Sequence, residues 1–339
     1  MKALIFHKER GLELRKVPDP KLEHEEDVLI QVKATGICGT DLHILSGAYP
    51  AKQGVVLGHE STGVVLEVGR SVTRFREGDR VILDPTYHCG VCTYCQRDRP
   101  NYCKEKAFTE TGVSSDGTFA ELHVARQAFL HPLPEELSFE EGALTEPLAC
   151  CLNALRHTRL RPDSRVLVVG AGPMGLLFAA STAAMGCDTV IGDIQPYRLE
   201  FARSIVGRVQ DLRGEGLLAV NGGERLDLII DTSGRMLERL LPRVDRGGEV
   251  LLAGLDYSYE AKINPSYLTD NGIRLVGSID TNRTFSPAID FLRRFEPLRK
   301  VISHRLPLEQ YTQGFKLLGV DQETRHRGDI LATKVVLVQ

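Results

Sequence analysis

Cys89, Cys92, Cys95 and Cys103 form a Cys-x-x-Cys-x-x-Cys-x7-Cys run, and four thiolates this close in sequence can wrap one tetrahedral zinc without a distant partner. Four sulfurs complete the coordination shell, so such a site is structural and closed to chemistry. The competing reading is a pair of disulfides. Against it, a chain of 339 residues buries large cores without staples, and its opening MKALIFHKERG reads as a strand and turn rather than a signal peptide. The other cysteines, Cys38, Cys150, Cys151 and Cys187, are scattered in apolar surroundings, as expected of reduced thiols in a cytoplasmic compartment. Cys38, the neighbours His59 and Glu60, and Glu146 are spread along the same chain as mixed ligands for a second possible zinc. Each also has an ordinary reading: a small buried residue for Cys38, a core histidine for His59, a helix N-terminal acid for Glu146 just before Pro147.

A third constellation is Gly170-Ala171-Gly172-Pro173-Met174-Gly175. Alone, such a glycine pattern is equally a tight strand-to-helix turn. Here it follows the apolar run VLVVG (166–170) and opens an apolar stretch, Pro173 to Gly186, so the backbone can approach a pyrophosphate and the helix N-terminus can stabilise its charge. Asp193 closes the next apolar run, TVIGD (189–193), where a carboxylate accepts hydrogen bonds from the adenosine ribose and repels a 2'-phosphate, which favours NAD over NADP. Arg198 lies five residues further on and reaches either the adenosine side of a cofactor or solvent.

These residues need two kinds of support. The first 150 residues carry short β-type runs, Val28 to Val32, Gly63 to Val68 and Arg80 to Leu83, punctuated by Gly, Pro and Asp, which predicts a barrel-like β domain with its motifs on loops and strand ends. From Arg165 the texture changes to strand and helix in alternation: after TVIGD come LDLIID (226–231), EVLLAG (249–254) and IRLVGS (273–278). That alternation predicts a doubly wound parallel sheet ending near residue 287. A helix-like stretch from Leu308 to Leu318 and a final strand LATKVVLV are expected to return to the first domain. The predicted organisation is therefore 1–150 with 288–339 as one domain and 151–287 as the other. With 42 Lys plus Arg against 45 Asp plus Glu, the net charge of −3 makes no electrostatic case for nucleic acid or an anionic membrane. No apolar run approaches the roughly 20 residues of a membrane span.

The segments GICGTDLH (36–43), GHE (58–60), the four-cysteine lobe, GTFAE (117–121), EEGALTEPL (140–148) and GAGPMG resemble, in the same order and over nearly the whole chain, the zinc-containing medium-chain dehydrogenase/reductase family. Within it the likeness is to polyol dehydrogenases of the sorbitol type, with threonine 3-dehydrogenase next. The resemblance implies a GroES-like β-barrel catalytic domain joined to a Rossmann domain, two zinc ions per subunit, NAD, and a homo-oligomer, with a tetramer expected. It implies a catalytic zinc held by Cys38 and His59, with Glu60 beside them and Glu146 supplying or supporting the remaining protein ligand.

Where many alcohol dehydrogenases carry cysteine, this chain has Glu146, as polyol enzymes do; Cys150, four residues on, would share a helical face with it and compete as a soft ligand. Gly39 departs from relatives that carry arginine beside the ligand cysteine. Thr40 and His43 match the family's proton relay, in which the hydroxyl takes the alcohol proton and passes it through the cofactor ribose to an imidazole suited to exchange at neutral pH. Asp41 either orients the His59 ring or caps the local loop. The implied function is oxidation of a secondary alcohol of a small polyol or sugar-derived substrate to a ketone, with pocket loops Ser46 to Gln53 and Asn282 to Ser286. A different substrate class, such as threonine, and a catalytically silent NAD-binding protein of the same fold are the alternatives.

Overall fold

The computed structural model describes residues 1–321 and 328–339. The chain divides into two compact units: Met1–Glu146 with Thr281–Arg294 and Ile302–Gln339, and Pro147–Asp280 with Phe295–Val301. The division differs in detail from the boundaries 150/151 and 287/288 read from the sequence. Phe295–Val301 returns to the second unit because its 3₁₀ turns bury Leu298 and Val301 and pack on the helices Pro173–Ala184 and Pro196–Val206.

In the second unit six strands are parallel throughout, in the spatial order Val209–Asp211, Asp188–Asp193, Arg165–Val169, Leu226–Asp231, Val244–Leu252, Arg274–Gly277. Numbered along the chain this is 3-2-1-4-5-6, the doubly wound order, whose switch point lies outside the carboxyl end of the first strand. Val166, Leu167 and Val168 are 0 % exposed, as a strand covered on both faces requires. Val209–Asp211 was not anticipated, because three residues without an apolar run leave no periodicity to read. The helix Pro173–Ala184 starts with proline at its first turn and buries eight residues around most of its circumference, the pattern of a helix covered by protein rather than facing water.

In the first unit the organising element is the strand Asp27–Gly36. Its alternate residues Val28, Ile30, Val32 and Ala34 are all buried, and it pairs antiparallel with Glu60–Val68, Leu122–Arg126 and Lys334–Val338. The remaining strands of this seven-stranded sheet are Arg80–Leu83, Leu130–Pro132 and Ile302–Pro307. The hairpin Lys2–His7 and Gly11–Lys16 packs its Leu4, Phe6 and Leu12 into a core with Phe119, Phe315 and Leu337. The predicted tail helix is shorter than Leu308 to Leu318: a 3₁₀ turn at Leu308–Gln310 precedes the α-helix Tyr311–Leu317. Among the described residues no helix is long and apolar enough to cross a membrane.

Arg165 ties together the amino ends of three adjacent interior strands of the parallel sheet, with its guanidinium 2.9 Å from Asp227 and 2.7 Å from Asp245. Hydrogen bonding and charge from Arg165 hold both carboxyls below the ordinary aspartate value. A depressed folded pKa stabilises the fold above the unfolded value of about 3.9 and ceases to do so as the pH falls through the lower folded values. Arg165→Met is therefore expected to lower the melting temperature at pH 7 by a few degrees, in keeping with roughly 1 kcal/mol for a partly solvated ion network. It should also flatten the loss of stability below about pH 4. Thermal denaturation of both proteins across pH 3 to 7 checks this; coincident curves would show that the network contributes nothing.

Candidate active site

The central strand of the first unit ends at Gly36, which stands in register with Glu60 on one neighbour and Val336 on the other. Three separate stretches of sequence are thereby delivered to one place. Cys38 follows two residues later as the cap of the helix Gly39–Leu45, and its backbone N–H donates to Asp41 Oδ2 at 2.9 Å. Asp41 is fully buried, so this bond fixes the turn that presents the thiol. The loop-capping role is thus the one observed for Asp41, while its Oδ1 and His59 Nδ1 are both buried without a hydrogen-bond partner.

The ligand atoms of Cys38, His59 and Glu60 lie within 4.8 Å of one another. A thiol, an imidazole and a carboxylate converging with an imidazole nitrogen out of solvent and unpartnered is a donor set that zinc satisfies. The electrostatics agree. Burial works against a charged His59, yet the neighbouring Cys38, Asp41 and Glu146 hold its pKa well above the ordinary value, the response of a cluster rich in negative charge. Glu146, in the first turn of the helix Thr145–Leu155, is outside the 4.8 Å set but acts electrostatically on both His59 and Lys334. Cys150 belongs to neither group of converging ligand atoms. Thr40 Oγ1 is 3.7 Å from Cys38 Sγ, and His43 lies one turn on along the same helix, both partly exposed.

Cys89, Cys92, Cys95 and Cys103 also converge. Their sulfurs stand 3.5 Å apart for Cys92 and Cys95, 3.9 Å for Cys89 and Cys95 and 4.0 Å for Cys92 and Cys103, close to the roughly 3.8 Å edge of a tetrahedron with Zn–S bonds of about 2.3 Å. Backbone N–H donors pull the Cys92 thiol down to about 6, whereas burial and its sulfur neighbours push Cys95 up to about 12. Four thiols so close cannot all ionise without a cation among them, so the residues fit a bound zinc.

In the second unit the glycine turn has the form that a pyrophosphate site needs. Gly170 has φ +99° and Gly175 packs against the Gly170 carbonyl, so a side chain at either would collide, while a Cβ on Gly172 would meet nothing within 4 Å. The open face at Gly172 caps the helix that begins Pro173, Met174, Gly175. Asp193 is 6 % exposed; its Oδ2 accepts from the Ala171 N–H at 2.7 Å and its Oδ1 from the Gln195 N–H at 2.8 Å. Arg198 stands 3.5 Å from the same carboxylate. Asp193 therefore braces the glycine turn as well as lying beside it, and lone pairs remain for a ribose hydroxyl.

Two contributors escaped the sequence reading. Thr232 Oγ1 donates to the carbonyls of Val169 at 2.7 Å and Gly170 at 3.2 Å, supporting the glycine turn from beneath. Lys334, only 2 % exposed, forms an ion pair with Glu60; burial opposes its charge, but Glu60, Cys38 and Glu146 hold its pKa above the usual lysine value. The pairing joins residues 274 apart in sequence, and no local spacing signals it. The segment expected to shape a substrate pocket contributes Arg283, Phe285 and Ser286 to a cavity of about 340 Å³, shared with Asp84, Thr86 and the lobe's Cys95.

Cys95→Ser is expected to reduce bound zinc from two ions per chain to one and to lower thermal stability, because a structural site contributes folding free energy directly. Metal analysis with thermal denaturation checks this, and retention of both ions would contradict the lobe assignment.

Family models match most of the chain: the alcohol dehydrogenase GroES-like domain over residues 24–135 and the zinc-binding dehydrogenase domain over residues 173–294. A sorbitol dehydrogenase of Bacillus subtilis (strain 168) is 35% identical over 305 residues, 86% of each chain. The alcohol dehydrogenase TADH from Thermus sp. ATN1 superposes with a TM-score of 0.87 at 28% identity, over 100% of this chain and 99% of the other. A protein of Sinorhizobium meliloti 1021 described as a zinc-binding dehydrogenase and bound to NADP superposes with a TM-score of 0.89 at 27% identity, with the same coverage. With family models over residues 24–135 and 173–294 and a relative 35% identical over 86% of its length, the chain belongs to the zinc-containing medium-chain dehydrogenase/reductase family.

Proposed function

We propose that this protein is an NAD-dependent zinc dehydrogenase that oxidises a secondary alcohol of a polyol or sugar-derived substrate to a ketone. The observation that carries the reading is the converging thiol, imidazole and carboxylate of Cys38, His59 and Glu60, with Glu146 in electrostatic reach. The likeness to sorbitol dehydrogenase supports the polyol class.

When bound, zinc supplies Lewis acidity toward an alcohol oxygen and NAD supplies the hydride acceptor. The protein's own share is positioning and proton movement. Cys38, His59 and Glu60 would hold the metal, with Glu146 supplying or supporting the remaining protein ligand. The Thr40 hydroxyl, beside Cys38, would accept the alcohol proton at Oγ1 as it gives up its own, and the His43 imidazole would carry that released proton on to solvent. Gly170, Gly172, Pro173, Met174 and Gly175 present backbone to the cofactor's pyrophosphate, and Asp193 with Arg198 receives its adenosine ribose. A negative Asp193 disfavours a 2'-phosphate. The resemblance further supports a cytoplasmic homotetramer.

NADH formation screened against sugar alcohols, sugar acids, cyclitols and threonine tests the reading. Turnover is expected on a hydroxylated sugar derivative. Turnover on threonine alone would move the protein to the threonine 3-dehydrogenase class, and none on any alcohol, with zinc bound, would leave a non-catalytic NAD-binding protein. In the same assay Glu146→Gln should lose most of kcat/KM, since a neutral amide is a much poorer ligand for a dication, while Cys150→Ala should be mild. The reverse outcome would make Cys150 the ligand.

Asp193→Asn keeps the side chain's size and one acceptor oxygen for the Ala171 N–H, gives up the acceptor for the Gln195 N–H, and removes the charge that repels a 2'-phosphate. The ratio of kcat/KM for NAD over NADP is expected to fall about tenfold or more; a wild type that already prefers NADP would overturn this role for Asp193.

A further inference from the structure

We infer that Lys334 is a positioning residue of the metal centre: its ammonium takes one oxygen of Glu60, so that the carboxylate turns its other oxygen toward Cys38 and His59 as a one-oxygen ligand. The inference rests on the zinc reading above. Both partners are buried, Lys334 at 2 % exposure and Glu60 at 1 %, and they form an ion pair through Nζ and Oε2. Lys334 Nζ also donates to the Ile37 carbonyl at 3.0 Å, one residue before the ligand Cys38. The Lys334 backbone is pinned in turn, its N–H donating to Ser303 Oγ at 3.2 Å and its carbonyl accepting from the same hydroxyl at 3.0 Å.

Gly36 leaves the room the pair occupies, since a Cβ there would run into Glu60 Oε2 and come within 2.9 Å of Lys334 Cε. A position that excludes even a methyl group, between two buried opposite charges and next to a ligand cysteine, is arranged around that pair.

Charge accounts for why a lysine stands here. Acidic groups crowd this place, with Glu60 in the converging set and Asp41 buried beside it, and Lys334 brings a positive group among them. Geometry accounts for the rest. A carboxylate free to swing can bind a metal through both oxygens and crowd the position a substrate oxygen needs; one oxygen committed to Lys334 leaves only the other. Partners that orient metal ligands in this way typically govern metal affinity or activity by about 10- to 100-fold.

The test is chelator competition for zinc on the purified holoenzyme, with the lobe zinc as internal control. Lys334→Met is expected to release one zinc about 10- to 100-fold more readily while the second is held as in the wild type. In enzyme loaded with cobalt in place of the labile zinc, the visible absorption should change as the carboxylate moves, and Lys334→Arg should restore both readouts. In a Glu60→Gln background Lys334→Met should cost nothing further, because the interaction it serves is already gone. Equal losses in both backgrounds, or wild-type affinity and spectrum in Lys334→Met, would overturn the inference. If Lys334→Met does not fold, Lys334→Gln, which can still donate toward Ile37, carries the same comparison. A wild type that binds only the lobe zinc would instead sink the zinc reading and leave the pair as a structural one.

Discussion

Negative charge concentrated out of water is the constraint around which the first unit is arranged. Cys38, His59 and Glu60 converge within 4.8 Å, with Asp41 fully buried beside them. Burial lifts the Asp41 pKa, and Glu60 lifts it further, while His59, the Cys38 N–H and Lys334 pull it back. An uncompensated buried carboxylate is costly by several kcal/mol, so every element here brings a compensating group. The cap of the helix Gly39–Leu45 brings the Cys38 N–H, the last strand brings Lys334, and the donor set calls for a cation. The paired register of Gly36 with Glu60 and Val336 is the backbone consequence.

The second unit solves the opposite problem. A dinucleotide presents negative charge to the protein, and the response is a turn stripped of side chains with free N–H groups at a helix start. Asp193 shows how the two demands are reconciled in one residue: its carboxylate is held by backbone donors of the glycine turn and of its own turn, and faced by Arg198. The carboxylate therefore does not stand as an isolated buried charge.

What could be read from sequence was what is local. The cysteine lobe, the glycine turn and the apolar runs of the parallel sheet carry their geometry within a few residues, and LDLIID is a strand over the same residues in the fold. The second candidate metal site was settled in the sequence only by resemblance, because Cys38 and His59 are brought together by the pairing of Gly36 with Glu60, which no spacing announces, and Glu146 comes from a separate helix. The role of Asp41 stayed open in the sequence, since both of its readings place the same carboxylate in the same turn. Lys334 and Thr232 were invisible for the same physical reason as Val209–Asp211: their roles are set by partners far along the chain or by edges of a sheet, not by periodicity.

The central claim is that one chain carries two zinc sites of different kinds, a closed one made of four sulfurs and an open one of mixed ligands. Zinc-edge anomalous diffraction from crystals of the purified protein tests it most directly. The account expects two peaks per chain, one enclosed by Cys89, Cys92, Cys95 and Cys103 and one touching Cys38 and His59. A single peak at the lobe, with none beside Cys38, would contradict it.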